Sequence, residues 1–287
     1  MAEELHTLVE DELSQPVDPR VVAMAQAIAA RHDAASRAVL FYGSCLREKQ
    51  LDGLMLDFYL IVSDYGSTYD RAWLVKANSL IPPNVFPFQH GGLTAKYAVL
   101  SEADFCRLNG PETRNVSVWA RFAQPSRLVW AADEAARRTA VAAVSRAAPT
   151  LLAAAGQAEG EAVLDWWRRA FALTYSAELR AERKGRAGSV IDADLARYER
   201  FSPAVIAAID PAAQSGNWGR RRIEGKALSV LRLAKASATY AGGAEYIAWK
   251  INRHAGTDIE LKPWQRRHPL LAAISLLPRL LRSGAIR

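Results

Sequence analysis

Ala38-Val39-Leu40-Phe41-Tyr42-Gly43-Ser44 and, after a short polar loop, Leu54-Met55-Leu56-Asp57-Phe58-Tyr59-Leu60-Ile61-Val62 are the two stretches that decide how this chain folds. The first is an apolar run of strand character that ends in two small residues. The second is a longer apolar run with a single carboxylate inside it. An ionised carboxylate in such a run is costly to desolvate unless something compensates, and a bound cation would do so. Small residues at Gly43 and Ser44 let a phosphate chain approach backbone N–H groups closely. The plainer alternative is an ordinary turn followed by a strand-end acid facing water. Leu54 to Leu56 before Asp57, and Phe58 to Val62 after it, favour an interior position.

Working outward, residues 1–20 read as a lead-in and Val21 to Ala35 as an alanine-rich helix. Strands are expected at 38–43 and 54–63. A helix from Arg71 to Ser79 should stop before Ile81-Pro82-Pro83, which cannot continue it. Ala95 to Leu100 reads as another strand, Ser101 to Asp104 as a helix start, and Arg127 to Trp130 as a short closing strand. From Asp133 onward alanine dominates, with helical patterns up to Ala154 and over Glu161–Arg183, Ala193–Ile209 and Arg221–Tyr240, and a polar loop at Lys184–Ser189. The expected fold class is therefore α+β. A mixed sheet with helices occupies residues 1–132, a mainly helical domain residues 133–247, and a basic amphipathic segment residues 248–287.

The chain has 287 residues, half of them hydrophobic, which excludes a disordered protein and allows sizeable cores. Its two cysteines, Cys45 and Cys106, supply neither a disulfide framework nor metal-ligand spacing. Cys45 beside the turn has no nearby histidine to make it a nucleophile and reads as a small buried residue. Met1 to Asp18 is acidic and lacks the apolar core of a secretion signal, and no stretch approaches the length of a membrane-spanning helix.

The formal charge is +7, and residues 248–287 hold eight bases against two acids, nearly the whole excess. Such a tail suits an anionic surface. Leu270, Ile274, Leu277 and Leu281 repeat there at helical spacing, flanked by Trp264, Arg266, Arg267, Arg279 and Arg282. That combination suits a helix lying in a membrane surface, with a core-packing or dimer helix as the other reading. No recognition-helix motif and no interleaving of aromatic with basic residues is seen, so nucleic acid is not an expected partner.

Three further groups of residues could hold anions. Lys96 sits in the Ala95–Val99 strand with Tyr97 facing the opposite side, and either snorkels at a sheet edge or serves a ligand. Tyr175, Glu178 and Arg180 would not all share one helix face, and they precede the cluster Arg183-Lys184-Gly185-Arg186. Arg232 and Lys235 lie one helical turn apart among Ala234, Ala236, Ser237 and Ala238. Two bases among small side chains can clasp an anionic group closely.

A strand, a Gly-Ser turn and an Asp-bearing strand resemble the active-site layout of the polymerase-beta-like nucleotidyltransferases. More narrowly, Phe41-Tyr42-Gly43-Ser44 with Asp57 resembles the mitochondrial-type CDP-diacylglycerol synthases, the translocator assembly and maintenance family, whose bacterial relatives are phosphatidate cytidylyltransferases. Lys96-Tyr97-Ala98-Val99 is similar to that family's Lys-Tyr-Gly-Val strand, with Ala98 for Gly. Thr174 to Arg180 is similar to its Ser-Tyr-x-x-Asp-x-Arg helix, with Glu178 for Asp, and Arg232 to Ser237 resembles its Arg-x-x-Lys-x-Ser helix. The matches fall in the family's order. The chain departs from the family at Cys45, where Gly is usual, and in lacking an evident Trp-His and Asn signature after the Asp strand. It also departs from the nucleotidyltransferase motif at Tyr59, where a second acid is usual, so a second carboxylate would have to come from Asp52, Asp64 or elsewhere.

The resemblance implies transfer of CMP from CTP to phosphatidic acid, giving CDP-diacylglycerol and pyrophosphate with Mg²⁺. Asp57 would hold the metal and act with Lys96 in catalysis, while Tyr42, Gly43, Ser44, Arg180, Arg232 and Lys235 would bind substrate. It implies a nucleotidyltransferase domain joined to a helical one, and a cytoplasmic protein attached peripherally, through its C-terminus, to the anionic inner face of the cell membrane. Homo-oligomerisation stays open. The alternatives are a different lipid phosphate or a soluble acceptor, or a non-catalytic lipid-binding relative.

Overall fold

In a computed structural model of the chain, which describes residues 2–47, 50–179, 190–210 and 216–239, the two apolar runs become neighbouring strands of a five-stranded sheet. They are β1 (Ser36–Tyr42) and β2 (Met55–Val62), antiparallel, with Tyr42 opposite Asp57. β3 (Asn84–His90) runs antiparallel to β4 (Leu93–Ser101), and β4 runs parallel to β2 with Lys96 opposite Asp57. β5 (Ser126–Ala131) closes the far side of β1, giving the order β3-β4-β2-β1-β5. The described residues thus form an α+β fold around a mixed sheet.

Both faces of the sheet are covered, which is why β1 and β2 read as continuous apolar runs. On one face α2 (Pro19–Ala30) lays Val21, Met24 and Ile28 against Val39, Phe41, Phe58, Leu60, Tyr97 and Val99. The alternate residues Leu40, Tyr42, Tyr59, Ile61, Ala98 and Leu100 point the other way, as the period of two requires. They enter a core shared with α1 (Ala2–Leu13), α5 (Glu102–Asn109), α6 (Trp119–Phe122), α7 (Glu134–Ser145), α8 (Ala147–Ala155), α9 (Val163–Ala177) and α10 (Leu195–Ala207). α3 (Tyr65–Thr68) and α4 (Ala72–Leu80) link β2 to β3, and α11 (Trp218–Thr239) is the last described helix. Ser101 caps α5 by accepting from Asp104 N, and Asp133 caps α7 by accepting from Ala136 N.

The structure corrects the expectation in three places. Residues 1–20 are not a lead-in, because α1 buries Leu5, Val9 and Leu13, spaced one helical turn apart, in the large core. β3 was not expected at all. Its Pro87 lacks an N–H, which an edge strand tolerates. The helix expected over 161–183 ends at Ala177, where Glu178 turns to an extended backbone (φ −114°, ψ 155°). Arg180, the loop at Lys184–Ser189 and the segment 248–287 lie outside the described residues. No helix among the described residues is long and apolar enough to cross a membrane.

α1 is fastened to α10 by an ion pair between Glu12 and Arg197, whose side chains are 8 % and 6 % exposed. Arg197 also donates to Ala123 O at 3.2 Å and stacks 4.5 Å from the centre of the Phe201 ring. Removing one partner from such a pair strands the other charge. Glu12→Ala is therefore expected to cost about 3–5 kcal/mol in urea unfolding. A loss under about 1 kcal/mol, the scale of an exposed pair, would show that α1 is not integral to the core.

Candidate active site

Asp57, Tyr59, Tyr42, Lys96 and Ala98 all point to the face opposite α2, so the carboxylate and the ammonium meet over the sheet. Asp57 Oδ1 lies 3.0 Å from Lys96 Nζ, and the side chains are 24 % and 23 % exposed. Because β4 is an interior strand between β3 and β2, Lys96 does not snorkel at a sheet edge. Asp57 Oδ1 is buried and, among the described residues, makes no hydrogen bond of good geometry, so the ion pair with Lys96 leaves oxygen lone pairs for a further donor or cation.

Gly43 closes the site at the end of β1. Its φ of +97° belongs to the region that favours glycine, and a Cβ there would lie 3.3 Å from Asp57 Oδ2. The turn that follows, Ser44–Arg47, is a short 3-10 helix that leaves Ser44 exposed. Cys45 is buried, as expected, with Sγ 3.5 Å from Met55 O.

The helices bring three more charged groups to this face. Arg121, from α6, holds its guanidinium carbon 5.6 Å from the centre of the Tyr42 ring, and its buried Nε has no hydrogen-bond partner among the described residues. Burial opposes the charge on Arg121, but the oxygens of Tyr42, Tyr59, Glu178 and Asp57 outweigh it and hold its pKa above the usual range. Glu178 is 8 % exposed. It is placed by close packing of α11 on the end of α9, where a Cβ on Gly225 would collide with the Ala177 carbonyl oxygen. Ser229 Oγ accepts from Leu179 N at 3.3 Å and donates to Gly225 O at 2.8 Å, which draws the chain out of the helix after Ala177. Arg232 donates to Pro82 O and to Ser117 Oγ, each at 2.8 Å. Burial lowers its pKa, against the attraction of Tyr59 and Glu178. Burial raises the pKa of the Tyr59 phenol, against the pull of Arg121 and Arg232.

Among the described residues, two carboxylates, Asp57 and Glu178, therefore face three bases, Lys96, Arg121 and Arg232, in largely desolvated surroundings. A surplus of positive charge there favours an anionic ligand.

Lys235, expected to bind substrate beside Arg232, is engaged with backbone carbonyls. It shares a helix side with Arg232, but its Nζ donates to Ile81 O, to Pro83 O at 2.8 Å and to Ala77 O at 3.5 Å. It thus ties α11 to the carbonyl-rich end of α4. Asp52 pairs with Arg20 at 3.3 Å, and Asp64 caps α3 by accepting from Ser67 N at 2.9 Å, so neither joins Asp57. Among the described residues no cluster of three or more His, Cys, Asp or Glu could cage a metal. The under-coordinated Asp57, tight against Gly43, instead fits a magnesium ion that keeps most of its ligands from a phosphate chain. A separate cleft of about 260 Å³, lined by Val21, Phe41, Cys45, Leu51 and Arg127 among others, lies on the α2 side of the sheet, and neither Asp57 nor Lys96 lines it.

Sequence reasoning named Asp57, Lys96, Tyr42, Gly43 and Arg232, which the structure gathers. It also named Ser44, exposed in the turn, Lys235, held by carbonyls of residues 77–83, and Arg180, outside the described residues. It missed Arg121, although a lone arginine between Ala120 and Phe122 is the same kind of signal as a lone aspartate in an apolar run. No protein-family model matches the chain, and a search of curated proteins finds no match.

Gly43→Ala is expected to cost about 1–3 kcal/mol of stability through backbone strain alone, read by chemical denaturation. An unchanged midpoint would mean that the turn relaxes freely. A pH dependence follows from Lys235, whose pKa is lowered from 10.5 to about 7, first by burial and then by Arg232. Between those values the unfolded chain binds more protons than the folded one, so this group makes stability rise with pH across that window. Comparing wild type with Lys235→Met at pH 7 and pH 10 should show the rise weakened in the variant. Parallel curves would contradict it.

Proposed function

We propose that the chain is a magnesium-dependent nucleotidyltransferase that moves CMP from CTP to phosphatidic acid, giving CDP-diacylglycerol and pyrophosphate. The observation that carries this reading is the Asp57–Lys96 contact, held against the Gly43 turn and faced by Arg121, Glu178 and Arg232. The choice of CTP and of a lipid acceptor is supported by the family-like order of the motifs around Gly43, Lys96, Glu178 and Arg232.

The backbone of Gly43 and Ser44 receives the triphosphate, next to Tyr42. Magnesium, held by Asp57 and by the nucleotide's own oxygens, would supply charge neutralisation. A lipid phosphate oxygen forms a bond to the α-phosphorus of CTP. The bond from that phosphorus to the bridging oxygen breaks, and pyrophosphate departs with the electron pair. A phosphate monoester is already ionised near neutral pH, so no strong general base is needed. Lys96, Arg121 and Arg232 balance charge on the transferring group, and the buried rings of Tyr42 and Tyr59 limit competition from water. Lys235 acts indirectly, by holding Arg232 over the site. In this proposal Arg180 binds phosphate and the segment 248–287 meets the anionic membrane surface.

Purified protein incubated with radiolabelled CTP, Mg²⁺ and vesicles containing phosphatidic acid should yield labelled lipid. Asp57→Ala should lower that yield on the order of 100- to 1000-fold without loss of the folded circular dichroism spectrum. Wild-type turnover by the variant would end the assignment. Replacing the vesicles with other lipid phosphates or soluble alcohols identifies the acceptor. Tyr59 in the place of a second acid favours one other reading, a non-catalytic lipid-binding relative. That protein would bind the vesicles and transfer no label.

A further inference from the structure

Among the described residues, Arg121 carries a buried nitrogen that no hydrogen bond accounts for. α6 is wedged in the large core by Trp119, Ala120 and Phe122, all buried. The Phe122 ring packs 5.2 Å from Tyr59, 4.9 Å from Phe105 and 6.1 Å from Tyr42, centre to centre. Arg121 thus leaves a rigid element and has its guanidinium spread over the Tyr42 ring, 5.6 Å from its centre. Cation–π contact satisfies the plane of the group but not its N–H edge. Among the described residues the buried Nε finds no acceptor, although buried donors are nearly always satisfied. Asp57 and Glu178 act on Arg121 through their charge, and neither accepts from Nε.

A planar fork of N–H groups held over the residue that precedes Gly43 and Ser44 suits two oxygens of a tetrahedral phosphate better than it suits one carbonyl. We propose that Arg121 is a phosphate-binding residue of the active site, its Nε–H and an Nη–H donating to two oxygens of one phosphate group. The inference rests on the reading of this face as a nucleotidyl-transfer site and adds the residue that grips the phosphate. The phosphate could be supplied by the nucleotide or by the lipid acceptor, and the choice of probes separates the two.

The test is titration calorimetry on the full chain, as wild type, Arg121→Gln and Arg121→Lys. The probes are Mg²⁺ with CTP, Mg²⁺ with inorganic pyrophosphate, and soluble dihexanoyl phosphatidic acid. Circular dichroism and thermal midpoints serve as folding controls. Arg121→Gln is expected to weaken one or more probes by about 10- to 100-fold with its thermal midpoint not lowered. Arg121→Lys, which keeps the charge but loses the fork, should fall between it and wild type. Losses confined to CTP and pyrophosphate assign the residue to the nucleotide, and a loss confined to the phosphatidic acid assigns it to the acceptor. Wild-type affinity for all probes in both variants overturns the proposal. If Arg121→Gln does not fold, Arg121→Lys decides alone, and if neither folds, Arg121 is a structural residue and the proposal is overturned. Arginine-dependent pyrophosphate binding in a protein that transfers no label would retain this inference and discard the enzyme. A wild type that binds no probe would discard both.

Discussion

Two opposite charges on neighbouring parallel strands, Asp57 and Lys96, set the terms for the rest of the molecule. Either one alone on the covered face of a sheet would be expensive to desolvate, and together they offset much of that cost. Their meeting depends on register. A slip of one residue between β2 and β4 would turn one of the pair toward α2, among Phe58, Leu60 and Val99. The same face requires glycine at position 43, since a side chain there would press on the carboxylate.

The helices complete an electrostatic arrangement that the sheet only begins. Arg121 arrives on a short helix locked by aromatic packing, and Arg232 on α11 is steered by Pro82 O and Ser117 Oγ. Glu178 is presented because α11 lies against the end of α9 at Gly225. The result, among the described residues, is a confined region with more positive than negative charge, which favours an anion.

Much of this was legible in the sequence where burial and chemistry conflict. Asp57 and Lys96 stood out because charged side chains interrupt apolar strands, and four of the five strands followed from runs bounded by small or polar residues. β3 was hidden because Asn84 and Pro87 lower its strand signal and its outer end is exposed. α1 was hidden by its acidic residues, one of which, Glu12, is buried only because Arg197 reaches it from far along the chain. Arg121 escaped notice because a four-residue helix has no periodicity to read. The end of α9 is not legible in the local pattern, since the residues packed against it, Gly225 and Ser229, lie on another helix. Lys235 was correctly paired with Arg232, but its partners are carbonyls of residues 77–83 that only the tertiary fold brings near.

The order in which the parts appear along the chain has its own consequence. The last described strand ends at Ala131, so Asp57, Lys96 and Arg121 are all translated by the time the five strands can close. Glu178 and Arg232 follow much later, and Glu178 takes its place only once Gly225 and Ser229 exist to receive the end of α9. A nascent chain on the ribosome would therefore carry the oldest part of the site long before its opposing wall. A stop codon ahead of α11 would leave Asp57 paired with Lys96 on the sheet but without Arg232 and without the helix against which the end of α9 packs.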